Sequence, residues 1–224
     1  MSANPRLPRL YVEGENDRRV ILALLSRFGI ELDKSTGPVV IESKGSCSEL
    51  LTAFAGACKS AQSFESPVGF VLDCDRAEDN RKQQLIDRFR EIRCELSTDE
   101  FMENGIVKEV EGINVGVWLM PDPSATCGKL ESFLRTMIPS DDPILPLSSD
   151  FVARVVADIP ERSRFRDVDR EKAEISSWLA VQKNPGASYG VAITSRALSV
   201  DSPSAVGFCS WFRRLYGVSD YLIV

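Results

Sequence analysis

Three times in the first hundred residues, a short apolar run is followed by a polar turn and then by apolar positions at helical spacing. Residues 7–12 end in Leu10-Tyr11-Val12, and beyond Glu13-Gly14 the residues Val20, Ile21, Leu24, Leu25 and Phe28 share one helical face before Gly29 closes the helix. Residues 38–41 form a second apolar run, after which Ser46 or Ser48 can cap a helix carrying Leu50, Leu51, Phe54 and Ala57. Val68-Gly69-Phe70-Val71-Leu72 is continuously apolar, as a strand buried on both faces should be, and it ends in Asp73-Cys74-Asp75. The polar stretch 78–94 then places Leu85, Ile86, Phe89 and Ile92 at helical spacing. Such alternation predicts right-handed crossovers and a mainly parallel sheet covered by helices.

After Cys94 the rhythm changes. Residues 105–110 and 114–120, joined around Glu111-Gly112, read as a hairpin, and Pro121-Asp122-Pro123 ends its second strand. From there on the patterns are helical, over 130–138, 150–159, 172–182 and 204–216, with Pro- and Ser-rich joints between them. The expected organisation is an α/β part over 1–125 and a helical C-terminal part over 126–224 packed on its sheet.

Composition narrows the chemistry. The 224 residues, 43% hydrophobic and 27% charged, are globular figures, which excludes collagenous and disordered classes. There is no histidine. The commonest general base, the commonest zinc ligand and every Ser-His or Cys-His pair are thereby absent, leaving carboxylates, lysines, hydroxyls and metals. A formal charge of −6 argues against a generic basic nucleic-acid coat, yet carboxylate-bound cations can invert the local field. The six cysteines show neither a C-x-x-C pair nor zinc spacing, and no secretory leader pattern is apparent, so reduced thiols in a cytoplasmic protein are expected. No apolar run approaches the ~20 residues that span a bilayer, so no membrane partner is expected.

In a parallel α/β sheet, ligands bind beyond the carboxyl ends of the strands, and here those ends are acidic. Glu13 ends the first strand, and Asp73 and Asp75 end the third. An extended backbone would point Asp73 and Asp75 to one side and Cys74 away. Asp17 shares its helical face with Ile21, Leu24 and Phe28, which leans it over the strand ends. Four acids that close repel one another unless a cation sits among them, and hard oxygen donors without histidine favour Mg²⁺ or Mn²⁺. The plainer readings are a helix cap or dipole contact for Asp17 and turn chemistry for Asp-x-Asp.

Tyr11-Val12-Glu13-Gly14-Glu15-Asn16-Asp17 and Val71-Leu72-Asp73-Cys74-Asp75 resemble the Glu-Gly-x-x-Asp and Asp-x-Asp motifs of the Toprim fold, found in topoisomerases, primases, overcoming-lysogenization-defect (OLD) nucleases and small maturation ribonucleases. Residues 115–122, Gly128-Lys129-Leu130-Glu131, Lys172-Ala173 and Trp178-Leu179-Ala180 look further like a stand-alone bacterial Toprim-like family of unknown function. The resemblance implies a Toprim-like sheet and a nuclease acting on DNA or RNA with one or two Mg²⁺ or Mn²⁺ ions. Glu13 would be a metal ligand or general base, Asp73 and Asp75 metal ligands, and Asp17 a ligand to a second ion. Asp122 and Glu131 are candidates for a further carboxylate ligand, and Lys172 for a catalytic lysine. Arg162, Arg164, Arg166 and Arg170, interleaved with Phe165, would grip substrate. Each also has an ordinary reading: a snorkelling lysine, a turn aspartate between prolines, a first-turn glutamate, a solvated basic face.

Departures from the resemblance limit it. Topoisomerases need a nucleophilic tyrosine domain and primases commonly carry a zinc ribbon, and neither fits here. OLD proteins carry an ATPase, whereas Thr126-Cys127-Gly128-Lys129-Leu130 lacks the first glycine of a P-loop and the Ser or Thr after its lysine, so any ATPase is a separate chain. Two alternatives stay open: a Toprim-like binding or regulatory module without turnover, and a haloacid-dehalogenase-like phosphatase. In the latter Asp73 would be nucleophile and Asp75 general acid, but Ala77 stands where Thr or Val is expected.

Overall fold

The computed structural model describes residues 7–32, 38–76, 80–159 and 165–218. Five strands form one sheet: β1 (Arg9–Val12), β2 (Val40–Ser43), β3 (Val68–Asp73), β4 (Ile106–Val110) and β5 (Ile113–Met120), in the order β2-β1-β3-β5-β4. All neighbours pair in parallel except β4, which closes one edge antiparallel to β5. The predicted hairpin is therefore present. Its two-residue turn, Glu111-Gly112, has positive φ at both positions, the geometry that follows the twist of the flanking strands.

Between the strands lie α1 (Glu15–Arg27), α2 (Cys47–Ser63) and α3 (Arg81–Glu91), and after them α4 (Leu130–Thr136), α5 (Ile144–Asp158), α6 (Arg170–Ala180), α7 (Tyr189–Thr194) and α8 (Pro203–Tyr216). Ser46 caps α2, accepting from the Glu49 amide at 3.2 Å, and Ser202 caps α8 the same way through Ala205. Among the described residues no helix is long and apolar enough to cross a membrane. Two helices run differently from the reading of the pattern. α5 begins at Ile144 rather than at residue 150, and α7 was not expected at all.

Alternation along the strands divides the core into two layers. Tyr11, Phe70, Leu72, Val115, Val117 and Leu119 pack against Leu50 and Phe54 of α2 and against Leu85 and Phe89 of α3. Leu10, Val12, Val71, Trp118 and Met120 face the other way, into one cluster with Val20 and Leu24 of α1, Phe133 of α4, Trp178 of α6 and Phe208 and Trp211 of α8. The C-terminal helices thus share a hydrophobic core with β1, β3 and β5. Their closest approach depends on glycine: Gly69 and Gly116 are paired neighbours on β3 and β5, and a β-carbon at Gly116 would come within 2.5 Å of Leu215 Cδ2. The consequence for function is directional. The parity that puts Val71 on the α1 and α8 side also puts Asp73 there, at the rim where α1 and α4 begin.

Candidate functional site

β1 and β3 end side by side, and their acidic ends are joined directly. The Asp73 amide donates to Glu13 Oε1 at 2.8 Å, so the first strand's terminal carboxylate is held against the third strand's last residue. Asp73 Oδ1 in turn accepts from the Leu130 amide at 2.9 Å, at the first residue of α4, where unpaired helix amides favour a carboxylate. Asp17, in the first turn of α1, is buried and accepts from the Gly14 amide at 3.1 Å. Glu131, in the first turn of α4, is buried as well; Tyr189 Oη donates to its Oε1 at 3.4 Å, and Lys172 Nζ stands 3.8 Å from the same oxygen.

Proximity and burial are visible in the acidities. Burial, reinforced by Glu13, Asp17, Asp75 and Glu131, pushes Asp73 up to about 9. Burial also raises Glu13 to about 7, against the opposing hydrogen bond from the Asp73 amide, with Asp75 and Asp17 adding to the rise. Asp17 is raised to about 6, first by burial and then by Glu131, while two backbone hydrogen bonds and Lys172 pull the other way. The acids therefore titrate as a linked set.

A family described as "Protein of unknown function (DUF3226)" matches residues 8–217. The chain belongs to the DUF3226 family. No curated protein and no solved structure matches it. That match takes in every candidate position of this DUF3226 chain, from Glu13 to Lys172.

The row differs from its sequence-based expectation at Asp75. β3 stops at Asp73, and Asp75 has φ +58°, bridging back to Gly128 through two backbone hydrogen bonds of 2.7 and 2.8 Å. The extended alternation therefore ends before Asp75. Its carboxylate instead meets the guanidinium of Arg81, a residue the sequence reading missed. Arg81 is buried and also donates to the Asp73 carbonyl at 3.2 Å and to Gln84 Oε1 at 2.5 Å. An arginine heading the helix after Asp-x-Asp was the available signal. Tyr189 was missed too, because α7 was.

Other candidates are placed as follows. Asp122 is engaged in its own turn, with Oδ1 accepting from the amide of Ser124 at 3.0 Å and from its hydroxyl. Lys172 is half exposed and reaches Glu131 from α6. Arg166 pairs with Asp169 at 3.0 Å, and Arg170 opens α6; both lie in the wall of a cleft beside Asp75 rather than among the acids. Arg162, Arg164 and Ala77 lie outside the described residues.

The donor chemistry of Glu13, Asp17, Asp73 and Glu131 is hard oxygen, suited to Mg²⁺ or Mn²⁺. Their mutual repulsion is what a divalent cation would relieve. As they stand, no three acidic or thiol side chains among the described residues form a group that would hold a metal ion. Asp75 is turned to Arg81, and Asp73 Oδ1 and Glu13 Oε1 each accept a backbone amide.

Proposed function

We propose that this DUF3226 chain is a Toprim-type, Mg²⁺- or Mn²⁺-dependent nuclease that cleaves phosphodiester bonds in nucleic acid, working in the cytoplasm with a separate ATPase chain in defence or genome maintenance. One observation carries the reading. Glu13 and Asp73 stand at neighbouring parallel strand ends, the Asp73 main-chain amide donates to Glu13 Oε1, and burial raises both acids, with the Glu13 charge adding to the rise at Asp73 and the Asp17 charge to both. Strand ends of this kind are where open α/β sheets bind ligands, and the Glu-Gly-x-x-Asp and Asp-x-Asp pattern supplies the Toprim resemblance.

Glu13, Asp73 and Asp17 are the residues that would hold the cation, with Asp75 or Glu131 completing the set. When bound, a divalent ion polarises a phosphate oxygen and acidifies a coordinated water. Glu13, raised to about 7, is suited to accept a proton near neutrality. Lys172, half exposed beside Glu131, offers a cationic donor to a phosphate oxygen. The ATPase rests on the OLD resemblance and on the missing P-loop residues.

A binding module without turnover is the second reading, favoured by Arg81, which already neutralises Asp75. The phosphatase has less support, since its general acid, Asp75, would have to leave that arginine. Incubation with supercoiled DNA, single strands and structured RNA in Mg²⁺ or Mn²⁺, beside Glu13→Ala and Asp73→Asn, separates the three. Cleavage lost in both variants supports the nuclease. Cleavage surviving both removes the site; release of phosphate from small monoesters alone points to the phosphatase; and metal-dependent thermal stabilisation without cleavage points to the binding module.

A further inference from the structure

On the Asp75 side, the carboxylate row opens into a cleft of about 850 Å³. Its floor is the loop before α4 and that helix's first turn, with Gly128, Lys129 and Ser132; its far wall is the 3₁₀ turn Asp167–Asp169 with Arg166, Arg170 and Glu171; Asp75 and Arg76 stand at its mouth. Polar contacts tie wall to floor. Lys129 Nζ donates to the Val168 carbonyl, and Ser132 Oγ donates to Glu171 Oε2 at 2.5 Å. One step further along the same two helices, Arg135 donates to Glu174 Oε2 at 2.5 Å. The cleft is thus a built feature rather than a gap between loose segments.

Asp75 is paired with Arg81 and Asp169 with Arg166 and Lys129, and Glu171 accepts from the Ser132 hydroxyl, whereas Arg170 and Asp167 make no ion pair with a described residue. Four cations, Arg76, Lys129, Arg166 and Arg170, line the space beside four carboxylates, and the cations come from three separate segments. A single phosphate is gripped by groups converging on one point, whereas a chain of phosphates is met by cations from successive segments. The volume lies in the upper part of the ~300–1,000 Å³ range of small-ligand clefts and opens directly onto Asp75, so what it holds can reach the carboxylates.

We infer that this cleft is the track for the sugar-phosphate backbone of a single nucleic-acid strand, with Arg166 and Arg170 as its phosphate-contacting residues, leading the scissile bond past Asp75 to Asp73 and Glu13. The inference rests on the nuclease reading for the direction of travel, but not for the binding itself. It also assigns a flank. A second hollow, on the other side of Arg81 and lined by Cys47, Thr52 and Arg88, is left out of the track.

The test is binding of a fluorescein-labelled single-stranded oligodeoxynucleotide to the full chain, in Ca²⁺ and over a series of salt concentrations. Arg166→Ala and Arg170→Ala should each weaken binding and lower the slope of log K against log salt by about 0.7, the loss of one phosphate contact. Arg166→Glu combined with Arg170→Glu should weaken it at least ~10-fold, and Arg88→Ala should change neither quantity. Because Arg170 opens α6, thermal melts accompany each variant, and Arg166, with an 80% exposed side chain, keeps the test alive if Arg170 variants do not fold.

Unchanged slopes in both alanine variants, a larger effect from Arg88→Ala, equal competition by a free mononucleotide, or no binding at all would each overturn the track. Asp73→Asn separates the two ideas. If the wild type cleaves in an Asp73-dependent way while binding ignores both arginines, the cleft fails and the nuclease stands. If binding depends on the arginines but nothing is cleaved, the cleft stands and the nuclease fails.

Discussion

The ends of the carboxylate row and its middle are charge-balanced by different means. At one end, Asp75 has a buried guanidinium in direct contact, and at the other, Glu131 has a tyrosine hydroxyl at 3.4 Å and an ammonium at 3.8 Å. In the middle, Asp73 and Glu13 accept from backbone amides, Glu13 also meets the Cys47 thiol and feels the Arg81 charge, and they are the two acids raised furthest. Among the described residues, side-chain ion pairs are made at the edges, while at the centre the Arg81 charge only partly offsets the burial of Glu13. A structural ion-pair network would place a cation on each acid, whereas here the two acids raised furthest make no ion pair with a described residue, which is the feature the proposed cation site rests on.

The largest test strikes that centre. Asp73→Asn keeps the size and the acceptor for the Leu130 amide but removes the charge, and cleavage in Mg²⁺ should fall roughly 10²–10³-fold, the worth of several kcal/mol of transition-state stabilisation. Without divalent cation the same variant should melt no lower than the wild type, because a buried carboxylate with no cationic partner has been neutralised. A lower melting point with activity retained would mean that Asp73 is a structural residue.

Breaking an end should do the reverse. Arg81→Met leaves Asp75 without its guanidinium and the Asp73 carbonyl and Gln84 without a donor, and urea unfolding should show a loss of about 1–3 kcal/mol. The loss stays below that of a fully buried pair because the Asp75 side chain is 36% exposed. Adding Asp75→Asn should recover part of it. Full recovery of stability by the second substitution would show that the arginine serves only as counter-charge.

A pH series sharpens the contrast without mutation. Glu13, Asp17 and Asp73 are raised in the folded state, so between their ordinary values and the raised ones the folded chain holds more protons than the unfolded chain. Their contribution to stability is therefore greatest at acid pH, and it declines from about pH 4 to about pH 9, as Asp17, then Glu13, then Asp73 must ionise. Mg²⁺ favours the ionised forms, so the rise in melting temperature it causes over a chelator control should grow from about pH 5 to about pH 9. A rise independent of pH would place cation binding elsewhere.

The sheet was legible because each strand is an uninterrupted apolar run followed by a helix with an apolar face, and 68–72 could hardly be anything but a central strand. The positions of Glu13, Asp17 and Asp73 followed from that alone. α5 was cut short because Pro143 and Pro146 interrupt the pattern, although both stand at its first turn, where proline is tolerated. α7, six residues long, leaves too few positions for a period to register. The counter-charges were harder to read for a different reason. Arg81 had a local signal, its place at the head of the helix after Asp-x-Asp, but it meets Asp75 through a chain reversal, and Tyr189 meets Glu131 through a packing of α7 on α1 that leaves no local trace. The Asp75 backbone, turned to φ +58° by its bridge to Gly128, is likewise a tertiary effect.

The smallest effect distinguishes the two groups that meet at Glu131. Tyr189→Phe keeps the half-buried ring and deletes the hydroxyl's long hydrogen bond to Glu131 together with its hydrogen bond to Ser176, so about 0.5–1.5 kcal/mol should be lost, roughly 1–6 °C in melting temperature for a chain of this size. Lys172→Met should cost less, about 0–0.5 kcal/mol, since its side chain is 52% exposed and water screens a charge 3.8 Å away. In the activity assay the order should invert, with the methionine variant losing more turnover than the phenylalanine one, because the ammonium is the group that can face a phosphate. If both substitutions lower stability alike and neither changes turnover, Lys172 is another edge counter-charge, and the Glu131 end of the row is only scaffold for its middle.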